Sequence, residues 1–294
     1  RLIWIDAHLW RVWNRMLISR RQKTLCLKEG FAVLAGLSTA CFYPELTERG
    51  LMFAASIGAQ AAEVFFNAPS ELTDSFVREL RRIADGSGTR ILSVHPFTSG
   101  LEPLLFFSGY RRRFCDGVEL YKRYFHAANL LGANLLVLHG DRRISQKPRS
   151  AYFDAFGELA GEGRAMGVTV AQENVPRCAS YCPDFFRDMR QYLPDARFVL
   201  DIKQAVRAGY TPGEMARAMG SGVVHLHVSD HNAKYDCLPI GTGDFDLAAL
   251  LRQVRGSGFD GGVILELYRD SYGEYEELSS AYQNICAAIE SALE

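Results

Sequence analysis

Two histidines, His225 and His227, interrupt the apolar run Val223-Val224-His225-Leu226-His227-Val228, which is followed by the polar Ser229-Asp230. Residues two apart on a strand share a face, so a strand here points both imidazoles the same way. Three carboxylates end comparable runs. They are Glu173 after Val168-Thr169-Val170-Ala171-Gln172, Asp201 after Phe198-Val199-Leu200, and Glu266 after Val263-Ile264-Leu265. Carboxylates gathered at strand ends with an imidazole form an oxygen-rich site for a divalent cation, provided the strands are neighbours. Each residue taken singly is an ordinary strand-end polar group. Four on successive strands are different, because carboxylates crowded at one rim repel one another and lose water unless a cation is present.

The elements that must position these residues can be followed along the chain. A strand at 34–42 precedes a helix at 46–59, with Glu45 and Glu48 near its N-terminal end, where the helix dipole favours anions. A second strand at 62–67 leads to a helix marked by Phe76, Leu80 and Ile83 at helical spacing. A third strand covers 91–95. It is followed by an apolar loop, 96–110, that is expected to act as a lid over a pocket. Next come a helix at 114–131, a fourth strand through His139 and a helix at 150–166. Strands ending at Glu173, Asp201, near His227 and at Glu266 alternate with helices at 183–192, 212–219 and 246–254, and a last helix spans 277–293. Eight strand–helix units without a linker predict an α/β protein, a single-domain (β/α)8 TIM barrel at 33–294. An open doubly wound sheet would carry Gly-x-Gly-x-x-Gly after its first strand, and that motif is absent there. In a barrel the strand C-termini converge on one rim, which adds His95 and His139 to the candidates.

Residues 1–32 look different: they begin without Met, hold all three tryptophans and show no clean periodicity. They are expected to be an irregular N-terminal appendage, not part of the native barrel, with translation starting near Val33 or Leu34. Composition bounds the partners. Of 294 residues 48% are hydrophobic, and the formal net charge is −1, which gives no bulk attraction to nucleic acid or membrane. Seven scattered cysteines suit a reduced, cytoplasmic chain more than a disulfide framework. Cys178 and Cys182 lack a second pair of zinc-ligand spacing and read as structural thiols. No run is apolar enough to span a bilayer. Arg111, Arg112 and Arg113 read either as a solvated face or as a phosphate contact.

Five segments then carry a resemblance: Val170-Ala-Gln-Glu-Asn-Val175, Leu200-Asp-Ile-Lys-Gln-Ala205, His225-Leu-His-Val-Ser-Asp230, Pro239-Ile-Gly-Thr-Gly-Asp-Phe-Asp246 and Ile264-Leu-Glu266. In this order they resemble the xylose isomerase-like TIM-barrel superfamily, which includes sugar and sugar-phosphate isomerases and epimerases, inosose dehydratase and endonuclease IV. The resemblance implies a divalent-metal-dependent sugar or sugar-phosphate isomerase or epimerase working through an enediolate. Its metal would be held by Glu173, Asp201, His227 and Glu266, with Glu173 and Glu266 as the acid/base pair. Three carboxylates and one imidazole favour Mn²⁺ or Mg²⁺, with Zn²⁺ as the alternative. His95 and His139 are expected to bind substrate or, with Glu173, a second metal. The family's Asp-x-x-His becomes Asp201-Ile-Lys203-Gln204, which makes Lys203 and Gln204 candidates for substrate contacts. Lys203 would meet an enolate, phosphate or carboxylate of the substrate or, as the structural alternative, a neighbouring barrel carboxylate. Leu238, in Asp236-Cys237-Leu238, stands where the endonucleases have a zinc ligand. The rival readings are a lyase or dehydratase on a keto-sugar or inosose, including deglycosylation of oxidised glycosides, and an endonuclease IV-like phosphodiesterase. The expected partner is a small sugar or sugar derivative, with association into a homo-oligomer also open.

Overall fold

The computed structural model describes residues 33–145 and 147–294, so the expected appendage lies outside the described residues. Eight parallel strands form in chain order: β1 (Leu34–Ser38), β2 (Ala61–Phe66), β3 (Arg90–Pro96), β4 (Leu135–Leu138), β5 (Thr169–Glu173), β6 (Arg197–Asp201), β7 (Val223–Val228) and β8 (Gly262–Leu265). Each pairs with its successor, and β8 returns to β1 through Leu34↔Gly262, closing the barrel. The expected α/β TIM barrel is therefore the architecture, and the open sheet is not.

The helices lie between the strands. In chain order they are α1 (Thr47–Ser56), α2 (Asp74–Ser87), α3 (Glu102–Leu105), α4 (Arg111–Leu131), α5 (Arg149–Ala165), α6 (Pro183–Tyr192), α7 (Ile202–Arg207), α8 (Pro212–Met219), α9 (Leu247–Arg255) and α10 (Tyr275–Leu293). On α4 the buried residues Phe114, Val118, Tyr121, Phe125 and Ala128 recur every three or four positions, an apolar stripe turned to the sheet. Gly132 ends α4 at φ 73°, a left-handed cap that other residues adopt at a cost, and its N–H reaches Ala128 O.

Inside the barrel Leu135, Val137, Ala171 and Val199 form a small apolar layer separate from the large core under the helices. Two residues further along, the strand alternation that points these side chains inward delivers His139, Glu173 and Asp201 to the C-terminal rim. The interior is tight. A Cβ on Gly36 would lie 2.3 Å from Ala61 O, so only glycine fits between β1 and β2. The β2–β3 register shifts between Ala62 and Glu63, and the β6–β7 register between Phe198 and Val199. Such bulges re-aim the side chains beyond them.

Two local differences from the sequence reading bear on the site. The first strand stops at Ser38, whose hydroxyl accepts from Ala40 N and starts a 3₁₀ turn, Thr39–Phe42. The second is a short helix after Asp201, absent from the helices expected above. Asp201 caps the short helix α7, which carries Lys203 and Gln204.

Candidate metal centre and acid/base site

His227 stands at the centre of the rim. Its Nδ1 lies 2.9 Å from Glu173 Oε1, 3.3 Å from Glu266 Oε2 and 3.8 Å from Asp201 Oδ2. One ligand atom from each of Glu173, Asp201, His227 and Glu266 can be chosen so that all four lie within 4.8 Å of one another. The four residues named from separate strands therefore meet. Pairing explains part of this: Asp201 is registered beside His227, and Glu266 follows β8, whose Ile264 is registered beside His227.

On its far side His227 Nε2 is 3.0 Å from Glu63 Oε2. Sequence reasoning missed Glu63 and took Ala61–Phe66 only as a strand. The available signal was a charged residue inside an otherwise apolar run. Glu63 is fully buried, and its remaining acceptor capacity is filled by Ser93 Oγ at 2.7 Å and Ser38 Oγ at 3.1 Å. His225 joins the same cluster, with Nε2 3.2 Å from Ser93 Oγ and 3.4 Å from Glu63 Oε2. Burial by itself would raise the Glu63 carboxyl, but His227 and His225 bring it well below the usual carboxylate range. Burial opposes a charge on His227, but Glu266 and Glu63 raise it well above the ordinary imidazole value, so Nε2–H donates to Glu63 and Nδ1–H to Glu173. A metal at Nδ1 would displace that proton, while Glu63 keeps the one on Nε2.

His95 and His139 lie on the other side of Glu173. His139 Nε2 is 2.7 Å from Glu173 Oε2 and 3.0 Å from His95 Nε2, and the hydrogen-bonding direction of the ring is met at His95. Arg177 Nη2 reaches His139 Nδ1 at 2.9 Å. A guanidinium can only donate, so Nδ1 accepts and the ring proton sits on Nε2. His95 Nδ1 is 3.3 Å from Pro96 O, and burial followed by the neighbouring His139 lowers this imidazole to about 4, so it is neutral.

Lys203 is buried, with Nζ donating to both Asp201 Oδ2 and Glu266 Oε2. Burial opposes its charge, yet Asp201 and Glu266 hold it well above the ordinary lysine value. Asp201 also accepts from Gln204 N at 2.9 Å through Oδ1, and Gln204 Nε2 donates to Tyr268 OH at 3.3 Å. Burial, and then the neighbouring Glu173 and Glu266, push the Asp201 carboxyl up to about 7 in spite of Lys203.

These residues fit a divalent ion. Glu173 Oε2 is buried with no well-directed hydrogen bond among the described residues, its near polar neighbour being His139 Nε2 at 2.7 Å, so it has acceptor capacity to offer a cation or ligand. Four carboxylates share one rim, and Lys203 supplies one charge to two of them. The endonuclease pattern is less well served: Asp236 is paired with Arg207 Nε at 2.6 Å, and Leu238 takes a place in a backbone bridge to Asp230. The glycine-rich segment after β7 folds onto Asp230, whose carboxylate accepts from Gly241 N, Gly243 N and Phe245 N.

The apolar stretch after β3 is on the catalytic rim but is not a free flap. It forms a 3₁₀ turn, Phe97–Leu101, and then α3. Phe106 packs edge-on against Tyr121, and Phe107 stacks on Tyr152, so both rings are spent in the helical layer. There they help line a cavity of about 650 Å³ with Tyr110, Arg143, Lys147 and Tyr181. Arg111 is bound to Glu158 by two hydrogen bonds, which favours the solvated-face reading over a phosphate contact. Glu102 ties this segment to the site strand, accepting from Gly140 N at 2.5 Å and from Tyr121 OH at 2.7 Å. Burial raises its carboxyl to about 7. A folded-state value above the unfolded one, about 4.3, gives stability that is complete below about 4 and is lost as pH rises through about 7. Glu102→Gln mimics the protonated form. Urea titrations at several pH values are expected to show a flatter stability profile for it between about pH 4 and 8. Parallel profiles for variant and wild type would remove Glu102 from this role.

Among the described residues no helix is long and apolar enough to cross a membrane, and Cys41, Cys115, Cys178, Cys182, Cys237 and Cys286 are free thiols.

The comparisons with known proteins agree with this architecture. The model of the xylose isomerase-like TIM barrel matches residues 51–290. An uncharacterized protein of Mycobacterium leprae is 27% identical over 268 residues, which is 81% of this chain and 90% of that protein. An uncharacterized protein of Methanocaldococcus jannaschii is 22% identical over 246 residues, covering 79% of this chain and 82% of its own. A solved D-tagatose 3-epimerase-like protein superposes with a TM-score of 0.72 at 19% identity, covering 88% of this chain and 98% of the other. D-Psicose 3-epimerase from Clostridium cellulolyticum H10 gives 0.71 at 17% identity, covering 89% and 99%. At these identities the solved structures speak for the fold. With the family match running from α1 into α10, the chain belongs to the xylose isomerase-like TIM-barrel family.

Proposed function

We propose that this chain is a divalent-metal-dependent epimerase or isomerase acting on a small, uncharged ketose or a close derivative. The observation that carries the proposal is the meeting of Glu173, Asp201, His227 and Glu266 at the barrel's C-terminal rim, three buried or nearly buried carboxylates around one imidazole. A divalent ion held by these four would polarise a substrate carbonyl and its neighbouring hydroxyl and so acidify the adjacent C–H. Glu173, whose Oε2 has no well-directed hydrogen bond and lies beside His139 Nε2, takes that proton. Glu266, which follows β8 three strands round the barrel from Glu173, is the second carboxylate of the pair and returns a proton to the opposite face of the carbon. His139 and His95, joined through their Nε2 atoms beside Glu173, would offer a donor and an acceptor to a sugar hydroxyl that comes between them. This use of the two histidines is favoured over a second metal because Arg177 takes the His139 Nδ1 lone pair. The rim's excess of carboxylates, with Lys203 already committed to two of them, favours a neutral sugar over a phosphate ester. Gln204, bonded to Tyr268, suits a neutral hydroxyl for the same reason, since an amide neither gives nor takes a proton at neutral pH.

The test is a screen of ketopentoses, ketohexoses and their phosphates with Mn²⁺-loaded protein in deuterated water, following deuterium entry at carbon by NMR. Exchange next to the carbonyl of an unphosphorylated ketose is expected. Exchange confined to the phosphates would overturn the preference for neutral sugars. Elimination products without epimer would move the reading to the lyase alternative.

A further inference from the structure

Two of the four candidate metal ligands already bear a cation that belongs to the chain. Lys203 Nζ donates to Asp201 Oδ2 and Glu266 Oε2, the same two oxygens that lie 3.8 and 3.3 Å from His227 Nδ1. Asp201 has no spare oxygen to offer instead, because its Oδ1 caps α7 through Gln204 N at 2.9 Å. Lys203 itself has little freedom to leave. It sits in the first turn of the helix that Asp201 caps, is 2% exposed, and has the Tyr268 ring centre 5.6 Å from its Nζ. That ring is in turn covered by Arg207, which is held by Asp236. An ammonium so placed neutralises carboxylates that would otherwise be buried together unpaired, a costly arrangement in a folded chain.

We infer that Lys203 is a resident counter-cation of the acidic rim, standing on Asp201 and Glu266 so that the chain folds without a divalent ion and binds one weakly and reversibly. The inference rests on the proposed role of these four residues as metal ligands. Two positive centres sharing the same pair of oxygens repel each other strongly in a site this dry. The ion and the ammonium therefore compete, and Lys203 must yield one of its two carboxylates when the ion enters. A lysine that merely organised the ligands would have the opposite effect, because removing it would loosen the site and weaken the ion's hold. The sign of the change in affinity separates the two roles.

The experiment titrates MnCl₂ into full-length, chelator-treated wild type, Lys203→Met and Lys203→Gln. It follows heat and the free-ion paramagnetic signal, with thermal melts before and after loading. Both neutral variants are expected to bind Mn²⁺ at least about tenfold more tightly than wild type, because a competing positive charge has been removed. Both should also melt lower than wild type when metal-free and gain more on loading. If Lys203→Met cannot be kept folded without metal, Lys203→Gln, which retains one donor for a carboxylate, carries the comparison. Equal or weaker Mn²⁺ binding in the neutral variants would overturn the inference, as would the absence of Mn²⁺ binding by all three proteins. Lack of ketose turnover by the loaded wild type counts against the sugar reading alone and leaves the affinity comparison standing.

Discussion

Glu173→Gln and Glu266→Gln are each expected to lower kcat on the ketose that wild type accepts by about 10²–10⁴-fold, the usual worth of a positioned proton-transfer group. Glutamine keeps the shape and one acceptor oxygen but cannot take up a proton. The two variants should fail differently. Glu173 is buried against His139 and His227, and burial works against a charge that these imidazoles hold well below the usual carboxylate range. Its amide would leave His227 Nδ1 facing a weaker partner and lose the proton acceptor together. Glu266 is the more exposed of the pair, with a side chain 12% accessible, and shares Lys203 with Asp201. Its loss should fall more on return of the proton, so deuterium wash-out from a labelled ketose should survive better than net epimerisation. A near wild-type rate in either variant, with its fold confirmed by circular dichroism, would take that glutamate out of the acid/base pair.

The second large effect is expected at Glu63, a residue that touches none of the reacting atoms in the proposed reaction. Its carboxylate receives His227 Nε2 at 3.0 Å and so orients the imidazole whose Nδ1 faces Glu173, Asp201 and Glu266. Partners of this kind behind a metal-binding histidine are typically worth about 10–100-fold in metal affinity. Glu63→Ala should therefore weaken Mn²⁺ binding by about that factor. Glu63→Gln should lie between, since an amide oxygen in the place of Oε2 still accepts from His227 and Ser93, while Ser38, which lies against the other oxygen, can turn its hydroxyl to receive the amide N–H. Titration calorimetry on folded variants is the measurement. Wild-type affinity in Glu63→Ala would show that packing alone orients His227.

The barrel was legible in the sequence because it depends on repetition. Apolar runs alternated with amphipathic stretches eight times, and parallel strands need a helical crossover between each pair. The strand-end acids were legible for a related reason. A carboxylate that closes a buried run has few places to be except the rim, and Glu173, Asp201 and Glu266 all lie there. His227 was legible beside them as an imidazole near the end of its own apolar run, and the structure brings it among them. Glu63 was not legible, because strand period alone cannot tell which face a charged residue takes. That was decided by the register shift after Ala62 and by the serines of β1 and β3 that receive its carboxylate. The apolar segment after β3 read as a lid because large side chains avoid water. Only the packed structure supplied the rings of Tyr121 and Tyr152 that take up Phe106 and Phe107 instead. For Lys203 the sequence left two partners open, a substrate anion or a barrel carboxylate. The choice fell to three-dimensional proximity, because residues 203 and 266 are far apart in the chain and adjacent only once β8 closes against β1 and β7. Periodicity and residue type are local properties, whereas charge pairing across a closed ring exists only after the ring has closed.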